Sequence, residues 1–413
     1  GGVRLPSAWD VERGDGGVVI ALPDGGILPH ADLDPNRQVP GYDFISDPSM
    51  ANDGDGRDAD PADPGDWVSA GECDVNSPAE DSSWHGTQMA GITVATADNS
   101  AGIAGVNHGS FLLMARVLGK CGGFTSDIAD AMRWAAGIRV AGVPDNPRPA
   151  RVINLSFGGD GRCTFLEQSA IDAVLARGAV VVVAAGNEGG DVASQSPANC
   201  RGVVTVAATN RSGGRSSYTN TGVEVEISAP GGDVTDPIEL IRSVSNTGLT
   251  VPAGDAYTWL AGTSVASAHV SGIAALLLSV NPNLSSQQVR DILVQTSRPF
   301  SDASCDPLSC GSGIVDATAA VQQAAAVQGQ PDSDNDGVND AIDRCLGTPA
   351  GAQVDANGCS PGQLAVGGGG GGGGGGCSLA RTAVIDPLFP LLLLFAVVRL
   401  VRHSGRSRAT RPG

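Results

Sequence analysis

Residues 180–186 and 203–208 read VVVVAAG and VVTVAA, two apolar, β-branched runs with no polar alternation. A strand open to water on one face alternates apolar and polar residues, so unbroken runs of this kind belong to strands buried on both faces. Working outward, the same pattern recurs as VVIAL (18–22), FLLMARVL (111–118) and VINLSF (152–157). Segments with helical patterning lie between or after them, near 87–95, 126–140, 164–177, 264–280 and 285–296. Strands alternating with helices predict an α/β domain, a doubly wound parallel sheet with helices on both faces, over residues 1–328. In such a sheet the site lies beyond the carboxyl ends of the strands. Residues 329–363 are short, acidic and without hydrophobic periodicity, and 364–413 hold a glycine run, an apolar stretch and an arginine-rich tail.

The composition narrows the functional classes. The 413 residues carry 25 Lys+Arg against 44 Asp+Glu, a net charge of -19, which argues against a general nucleic-acid binder because phosphate neutralisation needs a basic surface. Nine cysteines with no CxxC pair are read as disulfides formed outside the cytosol. No basic-then-apolar leader opens the chain, so the sequence is read as a processed or trimmed form.

Three local stretches carry residues fit for chemistry. Asp24 ends the first strand in ALPDGGI, where two glycines permit a sharp turn. His85 opens a helix in SSWHGTQMAG, and Ser264 lies at the start of the apolar helix in LAGTSVASAHVSGIAALLLSV. Each has a plain structural explanation taken singly: a strand-end carboxylate, a polar helix start, an N-cap. Together they supply what nucleophilic catalysis needs. A serine hydroxyl is a poor nucleophile until an imidazole takes its proton, and a buried carboxylate holds that imidazole in the right tautomer. His269 shares the serine's helix but points to another face, while His30, His108 and His403 lie in loop-like or basic segments.

The order Asp, His, Ser and the motifs around them resemble the subtilase family of serine proteases, whose patterns are D-[TS]-G, H-G-T-H and G-T-S-M-A-x-P. Here they read Asp24-Gly25-Gly26, His85-Gly86-Thr87-Gln88 and Gly262-Thr263-Ser264-Val265-Ala266-Ser267-Ala268. AAGNEG (184–189) and INLSFGG (153–159) continue the likeness over residues 5–326. The resemblance implies a subtilisin-like fold and a serine endopeptidase acting on proteins or peptides. It makes Ser264 the nucleophile, His85 the general base, Asp24 its orienting carboxylate and Asn187 a donor to the oxyanion. Substrate is expected to lie extended between 118–124 and 156–159, against Gly122, Gly123, Ser156 and Gly158. Gly25, Gln88, Val265 and Ala268 depart from the family pattern beside catalytic positions without removing one. The rival from another class is a surface-displayed binding protein on an inactive subtilase scaffold. A lipase or esterase is weaker, since no G-x-S-x-G surrounds Ser264.

Two acidic loops are candidates for structural calcium. NDGDGRDADPADPGD (52–66) gathers Asp53, Asp55, Asp58 and Asp60 in a segment with almost no apolar residues, to be either fully solvated or wrapped round a hard cation. PDSDNDGVNDAIDRC (331–345) sets Asp332, Asp334 and Asp336 at positions 1, 3 and 5 of a calcium loop, with Asp340 at 9 and Asp343 at 12. It resembles a thrombospondin type 3 repeat, which implies a disulfide between Cys345 and Cys359. Position brackets Cys163 with Cys200 and Cys305 with Cys310. Elimination leaves Cys73 with Cys121, and Cys377 unpaired.

The glycine run 367–376, Cys377, the short apolar stretch 387–398 and the arginines beyond it resemble the GlyGly-CTERM sorting signal of Gram-negative bacteria. That implies a transient transmembrane helix, removal by a membrane-embedded processing protease, and release to the cell surface or medium. A permanent anchor is the alternative. The expected state is a monomer with no nucleic-acid partner.

Overall fold

In chain order the strands are Val19–Asp24 (β1), Gln38–Asp43 (β2), Phe111–Arg116 (β3), Val152–Leu155 (β4), Gly159–Asp160 (β5), Val180–Ala184 (β6), Gln195–Ser196 (β7), Val204–Thr209 (β8), Ile227–Pro230 (β9), Ile241–Asn246 (β10) and Asp255–Leu260 (β11). The helices are Leu5–Trp9 (α1), Pro48–Ala51 (α2), His85–Val94 (α3), Thr125–Ala135 (α4), Phe165–Ala176 (α5), Thr263–Val280 (α6), Ser286–Gln295 (α7), Ala317–Gln328 (α8) and Pro361–Leu364 (α9). This computed structural model describes residues 2–14 and 17–328, then 333–334, 344–345, 347–349, 352, 354 and 358–364. Asp332, Asp336, Asp340 and Asp343, and the sorting signal expected beyond 364, lie outside the described residues.

Seven strands form one sheet in the order β2-β3-β1-β4-β6-β8-β9, every pairing in it parallel. The apolar runs explain it, because each strand feeds two cores. Ile20, Leu22, Leu112, Met114, Val180, Val182, Val204 and Val206 face one layer, packed under α3, α6 and α8. Val19, Ala21, Leu113, Ala115, Ile153, Val181 and Val183 face the other, under α4 and α5. The helices begin where their sequences allow: Thr164 with Glu167 and Ser285 with Gln288 make capping boxes at α5 and α7. α4 stops at Ala135, short of the expected 140, because Gly137 turns the chain at φ 76°. By length and composition α6 is apolar enough to cross a membrane, yet 83% of it is buried inside the fold, so it is a core helix.

The chain leaves β1 for β3 and β2 on one side and for β4, β6, β8 and β9 on the other. At such a reversal two crossover loops part and leave a crevice at the carboxyl ends of the strands. Asp24 at the end of β1, Ser156 just past β4 and Asn187 just past β6 all fall on that edge. β10 and β11 form an antiparallel hairpin outside the main sheet.

Candidate active site

Asp24 is fully buried at the end of β1. Its main-chain carbonyl accepts from Val117 (2.8 Å) and Leu118 (3.2 Å), and its carboxylate Oδ1 accepts from Gly25 (2.7 Å). The turn that follows admits α3 at close range: a Cβ on Gly86 would stand 2.1 Å from the Gly26 carbonyl, and Gly26 itself has φ 114°. With Gly86 that close, the His85 ring reaches Asp24, and its Nδ1 lies 2.8 Å from Oδ1 and 3.1 Å from Oδ2. Burial alone would make the imidazole harder to protonate, but the charge and hydrogen bond of Asp24 outweigh it and raise the His85 pKa, with Asp66 and Asp63 adding to the effect. His269 is the opposite case, lowered by burial and bonded through Nδ1 to the Val265 carbonyl (2.8 Å), which leaves it structural.

Ser264 sits in the first turn of α6, and its hydroxyl donates to the Ser156 carbonyl (2.7 Å) rather than to His85. A buried polar network fixes this end of the helix. Asn154 donates to Ser156 Oγ (2.7 Å), Ser156 Oγ meets Ser267 Oγ (2.9 Å) and donates to the Ser264 carbonyl (3.0 Å), and Ser271 donates to Asn154 (2.9 Å). Asn187 uses its side-chain oxygen to accept from the Thr263 amide (2.9 Å) and hydroxyl (3.0 Å). That leaves the amide NH2 as the end free to donate beside Ser264. Asn220, fully buried, pins the same loop by donating to the Ala185 carbonyl (3.0 Å) and Glu188 (2.6 Å) and accepting from Gly190 (2.7 Å). Sequence places Asn154, Thr263 and Ser267 within the quoted motifs but gives them no role, and it does not single out Asn220, because their hydrogen-bond partners lie far along the chain.

Gly122, Gly123 and Gly158 line a cavity of about 360 Å³ together with Leu118, Ile128, Met132 and Phe157. Ser156 is buried below it and acts through the Ser264 network. Segment 118–124, one edge of the expected substrate path, contains a turn. Gly119 and Gly122 exchange main-chain hydrogen bonds (2.9 and 3.1 Å), closing a turn with Cys121 at φ 63°. Disulfides join Cys73 to Cys121, Cys163 to Cys200, Cys305 to Cys310 and Cys345 to Cys359.

The candidate carboxylates of 52–66 take separate partners. Asp53 pairs with Arg116 (2.6 Å), a side chain only 1% exposed that also binds Asp43 and the Ala51 carbonyl. Asp58 and Asp60 accept from the amides of Asp60 (2.8 Å) and Ala62 (3.0 Å), and Asp55 donates its amide to Asp53 (3.3 Å). Among the described residues no three His, Cys, Asp or Glu side chains gather to hold a metal. Of these four carboxylates, Asp53 is the one that pairs with Arg116. In the second loop Asp334 is described, accepting from the Gly347 and Thr348 amides (2.6 Å each).

Residues 15–347 match the Subtilase family, and the chain belongs to it. It is 47% identical over 329 residues to an extracellular protease of Xanthomonas campestris pv. campestris, covering 79% of this chain and 54% of that protein. To an extracellular basic protease of Dichelobacter nodosus it is 43% identical, covering 78% and 53%. The chain thus spans about half the length of these relatives. Among solved structures, a protease from Pseudoalteromonas arctica PAMC 21717 matches with a TM-score of 0.76 at 48% identity, covering 78% of this chain and 94% of that one. The fold is accordingly subtilisin-like.

Proposed function

We propose that this chain is a secreted serine endopeptidase in which Ser264 attacks the scissile carbonyl, His85 takes its proton and Asp24 holds the imidazole. The observation that carries the reading is the buried Asp24 carboxylate 2.8 Å from His85 Nδ1, which commits that nitrogen to its proton and leaves Nε2 to act as base. In the resting state the Ser264 hydroxyl donates to the Ser156 carbonyl, a bond it must leave before His85 can take its proton. Attack forms the C–O bond while the proton passes to His85. The carbonyl oxygen gathers charge toward the Asn187 amide and the first N–H groups of α6. His85 then returns the proton to the leaving amine, and water repeats the steps on the acyl-enzyme.

Substrate lies against the 156–158 edge with side chains reaching the cavity at Gly122, Gly123 and Gly158. Residues 1–328 form the peptidase unit and the enzyme acts as a monomer. Residues 329–363 act as a spacer in which Asp332, Asp334, Asp336, Asp340 and Asp343 hold calcium as a structural ion. Residues 364–413 direct the chain through the membrane, and the part after the glycine run 367–376 is removed by the processing protease. The test is casein hydrolysis by the purified chain, by Ser264→Ala and by His85→Ala. Loss of activity in both variants with the fold intact supports the reading, whereas wild-type rates in either refute it. An inert wild-type chain that still binds peptide would instead favour the inactive scaffold.

A further inference from the structure

Trp84, the residue immediately before His85, has left-handed backbone angles of φ 54° and ψ 28°. A bulky side chain rarely sits there unless its surroundings dictate it, and such residues cluster at functional sites. Its surroundings do dictate it. The indole is 2% exposed and donates to the Gly248 carbonyl (2.8 Å). Two residues earlier, Ser82 donates through its amide to the Leu249 carbonyl (2.7 Å) and through its hydroxyl to the Thr250 carbonyl (2.7 Å). Gly248, Leu249 and Thr250 belong to the turn joining β10 to β11, so three successive carbonyls of one turn grip the segment leading into His85.

The turn is itself built to be stiff. Asn246 Oδ1 accepts from the amides of Gly248 (2.9 Å) and Ala253 (2.8 Å), and the Thr247 amide donates to the Gly254 carbonyl (2.8 Å). The hairpin also holds the body of α3. Ser243 of β10 donates to the Gln88 carbonyl (2.6 Å), and Gln88 Nε2 donates to the Ser83 carbonyl (2.7 Å). The hairpin adds no strand to the main sheet; β10 and the turn hold the segment around His85, while β11 meets residues 30–32 through Ala256, Asp255 and Tyr257.

We propose that the β10–β11 hairpin is a positioning device for His85. By gripping Trp84 in its left-handed conformation it fixes how α3 starts and so how the His85 ring meets Asp24. The inference rests on His85 being the general base. The charged groups that face this imidazole are Asp24, Asp63 and Asp66, all acidic, and Ser83 Oγ accepts from the His85 amide (3.3 Å).

The test compares Trp84→Phe, which keeps a ring and loses the donor, with Asn246→Ala, which loosens the turn while touching neither Trp84 nor His85. Val251→Ser, exposed on the same turn, is the control. A short chromogenic peptide is used at temperatures where circular dichroism shows each variant folded. Because misplacing a catalytic group by about 1 Å costs up to roughly 10²-fold, both variants are expected to lose about tenfold in kcat with KM within about twofold. A looser contact with Asp24 lets the imidazole lose its proton more readily, so the acid limb of kcat/KM moves to lower pH in both. Val251→Ser matches the wild type in all three quantities. Wild-type kcat and an unmoved acid limb in folded Asn246→Ala would overturn the proposal, even with a lowered Tm, since the hairpin would then only stabilise. An inert wild type would strike the role of His85 itself.

Discussion

Asn187 and Asp63 show how much a single residue can do at this edge of the sheet. Asn187 was legible because AAGNEG is a local motif; its orientation was not, since Thr263 lies far along the chain. With its oxygen committed to Thr263, only its NH2 can meet the oxyanion, so Asn187→Ala is expected to lower kcat by about 10² to 10³ with KM little changed. Steady-state kinetics on a peptide substrate checks this. Asp63 sits against the Gly25-Gly26 turn at 3% exposure, and burial pushes its carboxyl up to about 7 despite the Gly65 amide that it accepts (2.9 Å). A folded-state pKa above the unfolded one gives stability that is full below about pH 4 and lost as pH rises through about 7. Asp63→Asn, which cannot ionise, should therefore raise Tm over the wild type at pH 9 and leave it nearly unchanged at pH 4. Scanning calorimetry at the two pH values decides it, and an equal effect at both would contradict the account.

At the scale of elements, the sheet was legible and its margins were not. β1, β3, β4, β6 and β8 are continuous apolar runs, and two-sided burial leaves them no other reading. β2 escaped because Pro40 and Gly41 interrupt it at a register shift between Val39 and Tyr42. β9 is only four residues long, β10 (IRSVSN) buries two serines around Val244, and β11 (DAYTWL) has no fully buried residue, so neither reads as a continuous apolar run. In the 52–66 loop, sequence shows the carboxylates but not Arg116, which arrives from β3 to pair with Asp53 and with Asp43 outside the loop. The Cys73–Cys121 disulfide ties the loop before His85 to the turn beside the cleft, across a separation of 48 residues. Replacing both cysteines by serine should cost up to about 4 kcal/mol of stability by loop entropy. Urea denaturation measures the loss, and an unchanged midpoint would show that the bridge closes a loop already ordered without it.

For the whole molecule, the proposed arrangement is a peptidase unit followed by a calcium-holding spacer and a delivery segment. The spacer makes a prediction separate from the chemistry. Removing calcium with EDTA should lower the Tm of the full chain, and Asp332→Asn combined with Asp336→Asn should abolish that sensitivity while leaving peptide hydrolysis intact, because a serine hydrolase needs no metal at the reacting carbonyl. A full chain whose melting curve ignores EDTA would contradict the spacer. The chemistry itself depends on Asp24, His85 and Ser264 acting as the proposed triad. Its most direct measurement is covalent labelling by a fluorophosphonate probe, read by intact mass and peptide mapping. The account predicts one probe per chain, on Ser264, with labelling slowed strongly in His85→Ala and absent in Ser264→Ala. Labelling of the Ser264→Ala chain at the wild-type rate, or on another residue of the wild type, would contradict it.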